Sequence, residues 1–210
     1  MAILLDSASL DDASAAAGLG FVRGITTNPA LMARETKDPL AHLARLLEAL
    51  PEGPVFYQPT RSDAGEMDAE ARAAVALAPE RVVAKLPATL EALTLATQLR
   101  RDGVRCALTA VYSPAQALLA HEAGCAWIIP YVDRAARHSA GAVVVEQAAV
   151  LEQLDSPTRV LAASLKTGPQ VAEAVLDGAH DVTAPLAVLR ALVGHPLTEA
   201  AVREFAAHWE

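Results

Sequence analysis

Residues 81–109 read RVVAKLPATLEALTLATQLRRDGVRCALT, and their pattern carries most of the fold. Residues 81–86 are, after Arg81, an apolar run broken only by Lys85, residues 90–101 carry apolar positions at helical spacing, Gly103 ends that helix, and residues 104–109 are mostly apolar again. A strand, a helix and a strand at this spacing make a parallel pair with a right-handed crossover. The unit repeats in both directions. Further strands are predicted at 2–6, 21–26, 54–58, 126–130, 159–163 and 180–184, making eight, with helices at 41–49, 113–123, 143–154 and 169–176 and with Gly124 and Gly178 as helix ends. Crossovers of this kind allow either an open doubly wound sheet or a closed barrel, and eight units in 210 residues favour a (β/α)8 TIM barrel spanning 1–210 as one domain. Residues 199–209 are predicted to add a C-terminal helix on which Phe205 and Trp209 share a face, packed either on its own barrel or on a neighbouring subunit.

The composition narrows the function classes. A net charge of −8 leaves no general basic face for nucleic acid or anionic membranes, although a few local cations suffice for a small phosphorylated ligand. No apolar run approaches the ~20 residues of a membrane span. The two cysteines, Cys106 and Cys125, sit singly in apolar runs as core residues, which argues for a reducing compartment, and the N-terminal segment carries no basic leader, so the cytoplasm is expected. No metal-binding spacing is present: His121-Glu122 has no second histidine at helical spacing. Nor is there a dinucleotide fingerprint or a phosphate loop, so the expected chemistry needs no cofactor and no metal.

In a barrel, catalytic groups project from the C-terminal ends of strands, so ionisable residues that interrupt apolar strands near their ends are informative. Alternation places Val83 and Lys85 on the barrel side and Val82, Ala84 and Leu86 toward the helices. An interior lysine is either an amine made nucleophilic by desolvation or a structural cation snorkelling to the mouth. Asp6 ends the first strand as a partner for that lysine, as an acid/base group, or as a helix cap. Thr26-Thr27-Asn28-Pro29 can read sugar hydroxyls or shape a turn, and Gln58 brings an amide that must find partners. Tyr131 and Arg134 follow the sixth strand as a proton carrier and a phosphate clamp, or as a phenol beside a surface ion pair. Ser164 and Lys166 follow the seventh, where barrels commonly bind phosphate; His180-Asp181 belongs to the eighth or to a tight turn.

Taken together and in register, Leu5-Asp6, Gly24-Ile25-Thr26-Thr27-Asn28-Pro29, Ala84-Lys85-Leu86-Pro87-Ala88-Thr89, Thr109-Ala110-Val111-Tyr112-Ser113, Pro130-Tyr131-Val132-Asp133-Arg134 and Ala162-Ala163-Ser164-Leu165-Lys166-Thr167 resemble the transaldolase family. More specifically, they resemble its short fructose-6-phosphate aldolase-like branch. The resemblance covers nearly the whole chain. It implies that Lys85 forms an imine with a ketose, that Asp6, Gln58, Thr109 and Tyr131 handle protons and water, that Asn28 with Thr26 contacts donor hydroxyls, and that Arg134, Ser164 and Lys166 bind phosphate. The pairing of Gln58 with Tyr131 resembles the aldolase branch, which releases dihydroxyacetone; glutamate and phenylalanine at those positions resemble the transferases. Three departures stand out: Ala30 in place of serine, Ala92 in place of glycine, and a shorter segment at 135–145 without a glycine-rich loop. They bear on substrate preference.

The leading expectation is therefore a Schiff-base aldolase that cleaves fructose 6-phosphate or a similar sugar phosphate to dihydroxyacetone and an aldehyde. Two alternatives remain: a transaldolase that passes the dihydroxyacetone unit to an acceptor, and a non-catalytic sugar-phosphate-binding barrel. The resemblance also implies a homo-oligomer, a pentamer or decamer.

Overall fold

The computed structural model describes residues 1–61 and 63–208, so Trp209 lies outside the described residues. In chain order the elements are β1 (Ile3–Asp6), α1 (Leu10–Gly18), β2 (Val22–Thr26), α2 (Pro29–Glu35), α3 (Pro39–Ala49), β3 (Val55–Tyr57), α4 (Ala64–Leu77), β4 (Val82–Pro87) and α5 (Leu90–Arg101). They continue with β5 (Cys106–Val111), α6 (Pro114–Glu122), β6 (Trp127–Pro130), α7 (Val132–Arg137), α8 (Val143–Gln153), β7 (Arg159–Ala162), α9 (Gly168–Leu176), β8 (Asp181–Ala184), α10 (Leu186–Ala191) and α11 (Pro196–Ala207). The strands follow one another in sequence order, each parallel to its neighbour, and β8 returns to β1 to close the barrel. All eight predicted strands are present, within a residue or two of their expected ends. No helix among the described residues is long and apolar enough to cross a membrane.

Side-chain alternation sorts each strand into two environments. Val82, Ala84 and Leu86 join the large core between barrel and helices. Leu4, Phe56, Val83, Ala107, Ile129 and Leu161 form a separate apolar layer inside the barrel. Each fully buried side chain of the size of Leu or Phe contributes roughly 1.5–3 kcal/mol, so this layer is a rigid floor rather than a pore. Two residues beyond it, on the same side of each strand, come Asp6, Gln58, Lys85, Thr109 and Tyr131. The polar set expected from the sequence is thus one layer above a dry plug.

The opposite end of the barrel is tied by Asp181, the first residue of β8. Its carboxylate accepts from the Ala2 amide at 2.7 Å, from Trp127 Nε1 at 3.1 Å and from Arg159 Nε at 2.7 Å. Burial pushes this carboxyl up, but the hydrogen bonds from Arg159, Trp127 and Ala2 outweigh it and hold the group below its ordinary range. His180-Asp181 therefore belongs to the N-terminal rim of β8, away from the strand ends that carry chemistry.

Helix starts follow capping chemistry. Ser9, Asp38, Thr89 and Thr167 each accept a backbone N–H of the first turn, and proline occupies the opening turn of α2, α3, α6, α9 and α11. Ser9, not Asp6, caps α1, which leaves the Asp6 carboxylate free for the barrel mouth. Gly103, Gly124 and Gly178 end their helices with positive φ, as expected. The C-terminal helix starts at Pro196, earlier than predicted, and buries none of its residues; Val202 and Phe205 remain 60% and 66% exposed.

Candidate active site

Lys85 is only 3% exposed, with its Nζ donating to the Thr27 carbonyl oxygen at 2.6 Å. Burial pushes its ammonium down to about 8, opposed by the nearby Asp6 carboxylate. A lysine snorkelling to solvent would keep its head in water; this one does not. Near neutral pH a useful fraction of the amine is unprotonated, which is the state that attacks a carbonyl.

Asp6 is half-buried and its Oδ1 accepts from Thr26 Oγ1 at 3.0 Å. Thr26 Oγ1 lies 2.7 Å from Thr183 Oγ1. A threonine hydroxyl has one proton to give, so with Thr26 donating to Asp6 it is Thr183 that donates to Thr26. This chain spans β8, β2 and β1 and fixes the carboxylate in one orientation. Thr109 Oγ1 donates to the Tyr131 hydroxyl at 3.2 Å, and Tyr112 packs edge-on against the Tyr131 ring with centroids 6.1 Å apart. Burial pushes the Tyr131 phenol up, with Asp6 adding to the rise and Thr109 and Arg134 opposing it, so the phenol keeps its proton at neutral pH.

Two non-glycine residues beside or within the site have left-handed backbone. Ala110 takes φ +57° beside Thr109, where the β5–β6 register shifts, and Ser164 takes φ +62° just past β7. Left-handed conformations at non-glycine residues cost about 1–3 kcal/mol each and are retained where surrounding contacts enforce them.

A cleft of about 190 Å³ opens above Lys85 and brings Asp6, Thr26, Asn28, Tyr131, Arg134, Ser164 and Lys166 together with it. That is below the roughly 300–1,000 Å³ of pockets for drug-sized ligands and suits a small polar molecule. Asn28 has two duties: its Oδ1 accepts from Leu31 N as the cap of α2, which leaves its amide N–H groups for the cleft. Arg134 and Lys166 are exposed and form no ion pair among the described residues. The surface pair foreseen as an alternative for Arg134 is instead made by Arg137, which reaches Asp133 at 2.9 Å.

Gln58 and Thr109 do not line the cleft. Thr109 meets it through Tyr131, and Gln58 is half-buried after β3 with no hydrogen bond to its amide among the described residues. Two polar lining residues escaped the sequence reading. Thr183 lies two positions after Asp181 on β8, so strand alternation alone could have singled it out. Arg137 follows Arg134 by three residues on α7, a helix too short to show as a periodic pattern.

The sequence pattern described as Transaldolase/Fructose-6-phosphate aldolase matches residues 3–210. The chain belongs to that family. A protein of Desulforudis audaxviator named "Probable transaldolase" is 38% identical over 211 residues, covering 100% of this chain and 97% of its own length. One of Symbiobacterium thermophilum with the same name is 36% identical over 212 residues, with 100% and 97% coverage. Among solved structures, a mutant flavocytochrome b2 with pyruvate bound superposes with a TM-score of 0.63 at 14% identity, over 88% of this chain and 56% of that one. That last likeness is one of fold alone, because barrels of this kind host unrelated chemistries. Membership of the family makes this protein an enzyme of the aldolase/transaldolase type.

Proposed function

We propose that this enzyme cleaves fructose 6-phosphate, or a similar sugar phosphate, to dihydroxyacetone and an aldehyde through an imine on Lys85. The observation that carries the proposal is a buried lysine with a lowered pKa, facing Asp6 in a cleft whose outer rim holds Arg134 and Lys166. Neutral Lys85 Nζ adds to the ketose carbonyl carbon, and loss of water leaves a protonated imine. Asp6 and Tyr131 would move the protons of that step. The imine nitrogen then accepts the electron pair of the bond between the third and fourth carbons, the fourth-carbon hydroxyl gives up its proton, and the aldehyde leaves. The remaining enamine takes a proton at its third carbon, and water hydrolyses the imine to free dihydroxyacetone and Lys85. Arg134, Ser164 and Lys166 would hold the phosphate, with Thr26 and Asn28 toward the donor hydroxyls.

The second reading is transaldolase, favoured by the names of the relatives. Here the enamine waits for an acceptor aldehyde instead of a proton. The two separate on whether fructose 6-phosphate is consumed without erythrose 4-phosphate. Our expectation is consumption without acceptor; a strict requirement for acceptor would establish transfer, and no turnover in either case would support a binding barrel. Tyr131→Phe removes the phenolic proton and should shift products toward transfer, whereas unchanged cleavage would argue against that role.

We further propose a homo-oligomer, a pentamer or decamer, in which the exposed apolar face of α11 meets a neighbouring subunit. The buried, unlinked cysteines agree with a cytoplasmic location.

A further inference from the structure

The family resemblance gives Gln58 a share in water handling, yet Gln58 stands outside the lining of the cleft and, among the described residues, its amide has no hydrogen-bond partner, so its backbone has to set its direction. β3 is three residues long: Phe56 belongs to the inner layer, and Tyr57 points outward into the helix layer, fully buried. Alternation returns Gln58 to the barrel side. Pro59 follows, locking its own φ and restricting Gln58 to extended backbone.

The flanks of this dipeptide meet at one carboxylate. The Tyr57 hydroxyl donates to Glu70 Oε1 at 2.5 Å. The Thr60 amide donates to the two Glu70 oxygens at 3.1 and 3.0 Å, and the Thr60 hydroxyl lies 3.1 Å from each. Glu70 is on α4, outside the barrel and away from the cleft. Burial and the Glu70 carboxylate hold the Tyr57 phenol well above its usual range, so the proton stays on the tyrosine and the carboxylate accepts.

From this geometry we infer that Glu70 is a positioning residue for Gln58: by gripping Tyr57 and Thr60 it fixes the backbone between them and aims the amide at the barrel mouth. The inference rests on the reading that Gln58 takes part in water handling during cleavage. With Glu70 absent, the Tyr57 hydroxyl and Thr60 both lose their acceptor, and the span 58–60 is anchored only by the burial of the Tyr57 ring. A displacement of about 1 Å at a catalytic group can cost on the order of 100-fold in rate.

The test is a double-mutant cycle on cleavage and transfer rates, normalised to active sites counted by borohydride trapping. Gln58→Ala should lower cleavage per active site and change the ratio of transfer to cleavage. Glu70→Ala should move the same ratio in the same direction, lower kcat roughly 10–100-fold with little change in KM, and add little in the Gln58→Ala background. Glu70→Gln, which keeps an acceptor oxygen, should recover part of the loss, and Tyr57→Phe should give a smaller shift; both remain informative if Glu70→Ala folds poorly. Glu70 variants that lower Tm but leave kcat and the ratio per active site unchanged would overturn the inference and leave the Gln58 reading intact, as would effects that add fully to Gln58→Ala. A Gln58→Ala enzyme indistinguishable from wild type would instead overturn the Gln58 reading, and this inference with it.

Discussion

Burying Lys85 carries an energetic cost that the proposed imine chemistry would require. With the pKa held near 8 instead of the ordinary 10.5, folding is about 3 kcal/mol less favourable with Lys85 charged than with it neutral. The unfolded chain stays protonated up to the ordinary value, so unfolding takes up a proton between pH 8 and 10.5. Stability therefore rises with pH across that window, and the full penalty stands below it. Lys85→Met removes the charge but leaves the Thr27 carbonyl without its donor, a loss of about 1–3 kcal/mol. The variant should be inactive yet melt a few degrees higher than wild type near neutral pH, with the gap closing as pH rises above 8; a lower Tm in calorimetry at pH 7 would contradict the buried-ammonium picture. Much of this site was legible from residue order, because a charge inside an apolar strand is conspicuous: Asp6 after Leu4-Leu5 and Lys85 after Val82-Val83-Ala84. The partners of those charges were less legible. Alternation from Asp181 points Thr183 to the barrel side, but its pairing with Thr26 is not legible: only closure of β8 onto β1, which in turn pairs with β2, brings the two hydroxyls together.

At the scale of elements, strands were easier to read than helices. Each strand lies within a short, mostly apolar run between helix-like stretches, whereas α1, α2, α4, α7 and α10 were not marked. The sequence of α1 is LDDASAAAG and its buried face is Ala13 and Ala16, too small to register as an apolar stripe. In α4 the buried face is Met67, Ala71, Ala74 and Val75, and α7 and α10 span six residues each. Alanine faces suit a barrel because they let helices approach the sheet closely. Where α3 turns into β3, Arg81 donates to the carbonyls of Leu47, Leu50 and Gly53, closing the turn from the start of β4. Gly53 takes φ +80°, and an added Cβ would lie 1.9 Å from the Arg23 carbonyl oxygen, where no flexible side chain can yield. Gly53→Ala should cost on the order of 3 kcal/mol by denaturant titration, with kcat of the folded fraction retained. A change below about 0.5 kcal/mol would mean that the β2–β3 contact is looser than described.

Across the whole molecule, charge and apolar surface are unevenly placed. The chain carries a net charge of −8, yet the cleft gathers Lys85, Arg134 and Lys166, with Arg137 paired to Asp133, around Asp6 as the one lining carboxylate among the described residues. Such a cationic cleft in an anionic protein concentrates phosphorylated substrates locally without general attraction to nucleic acid. The C-terminal helix is the other asymmetry. Composition and periodicity revealed that it exists, but not what covers it, since that depends on surfaces beyond one chain. If α11 meets a neighbour through Val202 and Phe205, light scattering should give a multiple of the 21.9 kDa chain mass, and Phe205→Glu should lower it. A monomeric wild type, or a variant with unchanged mass, would refute that role.

All of these scales converge on one covalent bond. Sodium borohydride added in the presence of fructose 6-phosphate or dihydroxyacetone should reduce the imine to a stable secondary amine, read as one added substrate-derived mass per chain and mapped by peptide sequencing to Lys85. An unmodified chain, or an adduct on Lys166 or any other lysine, would contradict the assignment of Lys85 as the nucleophile.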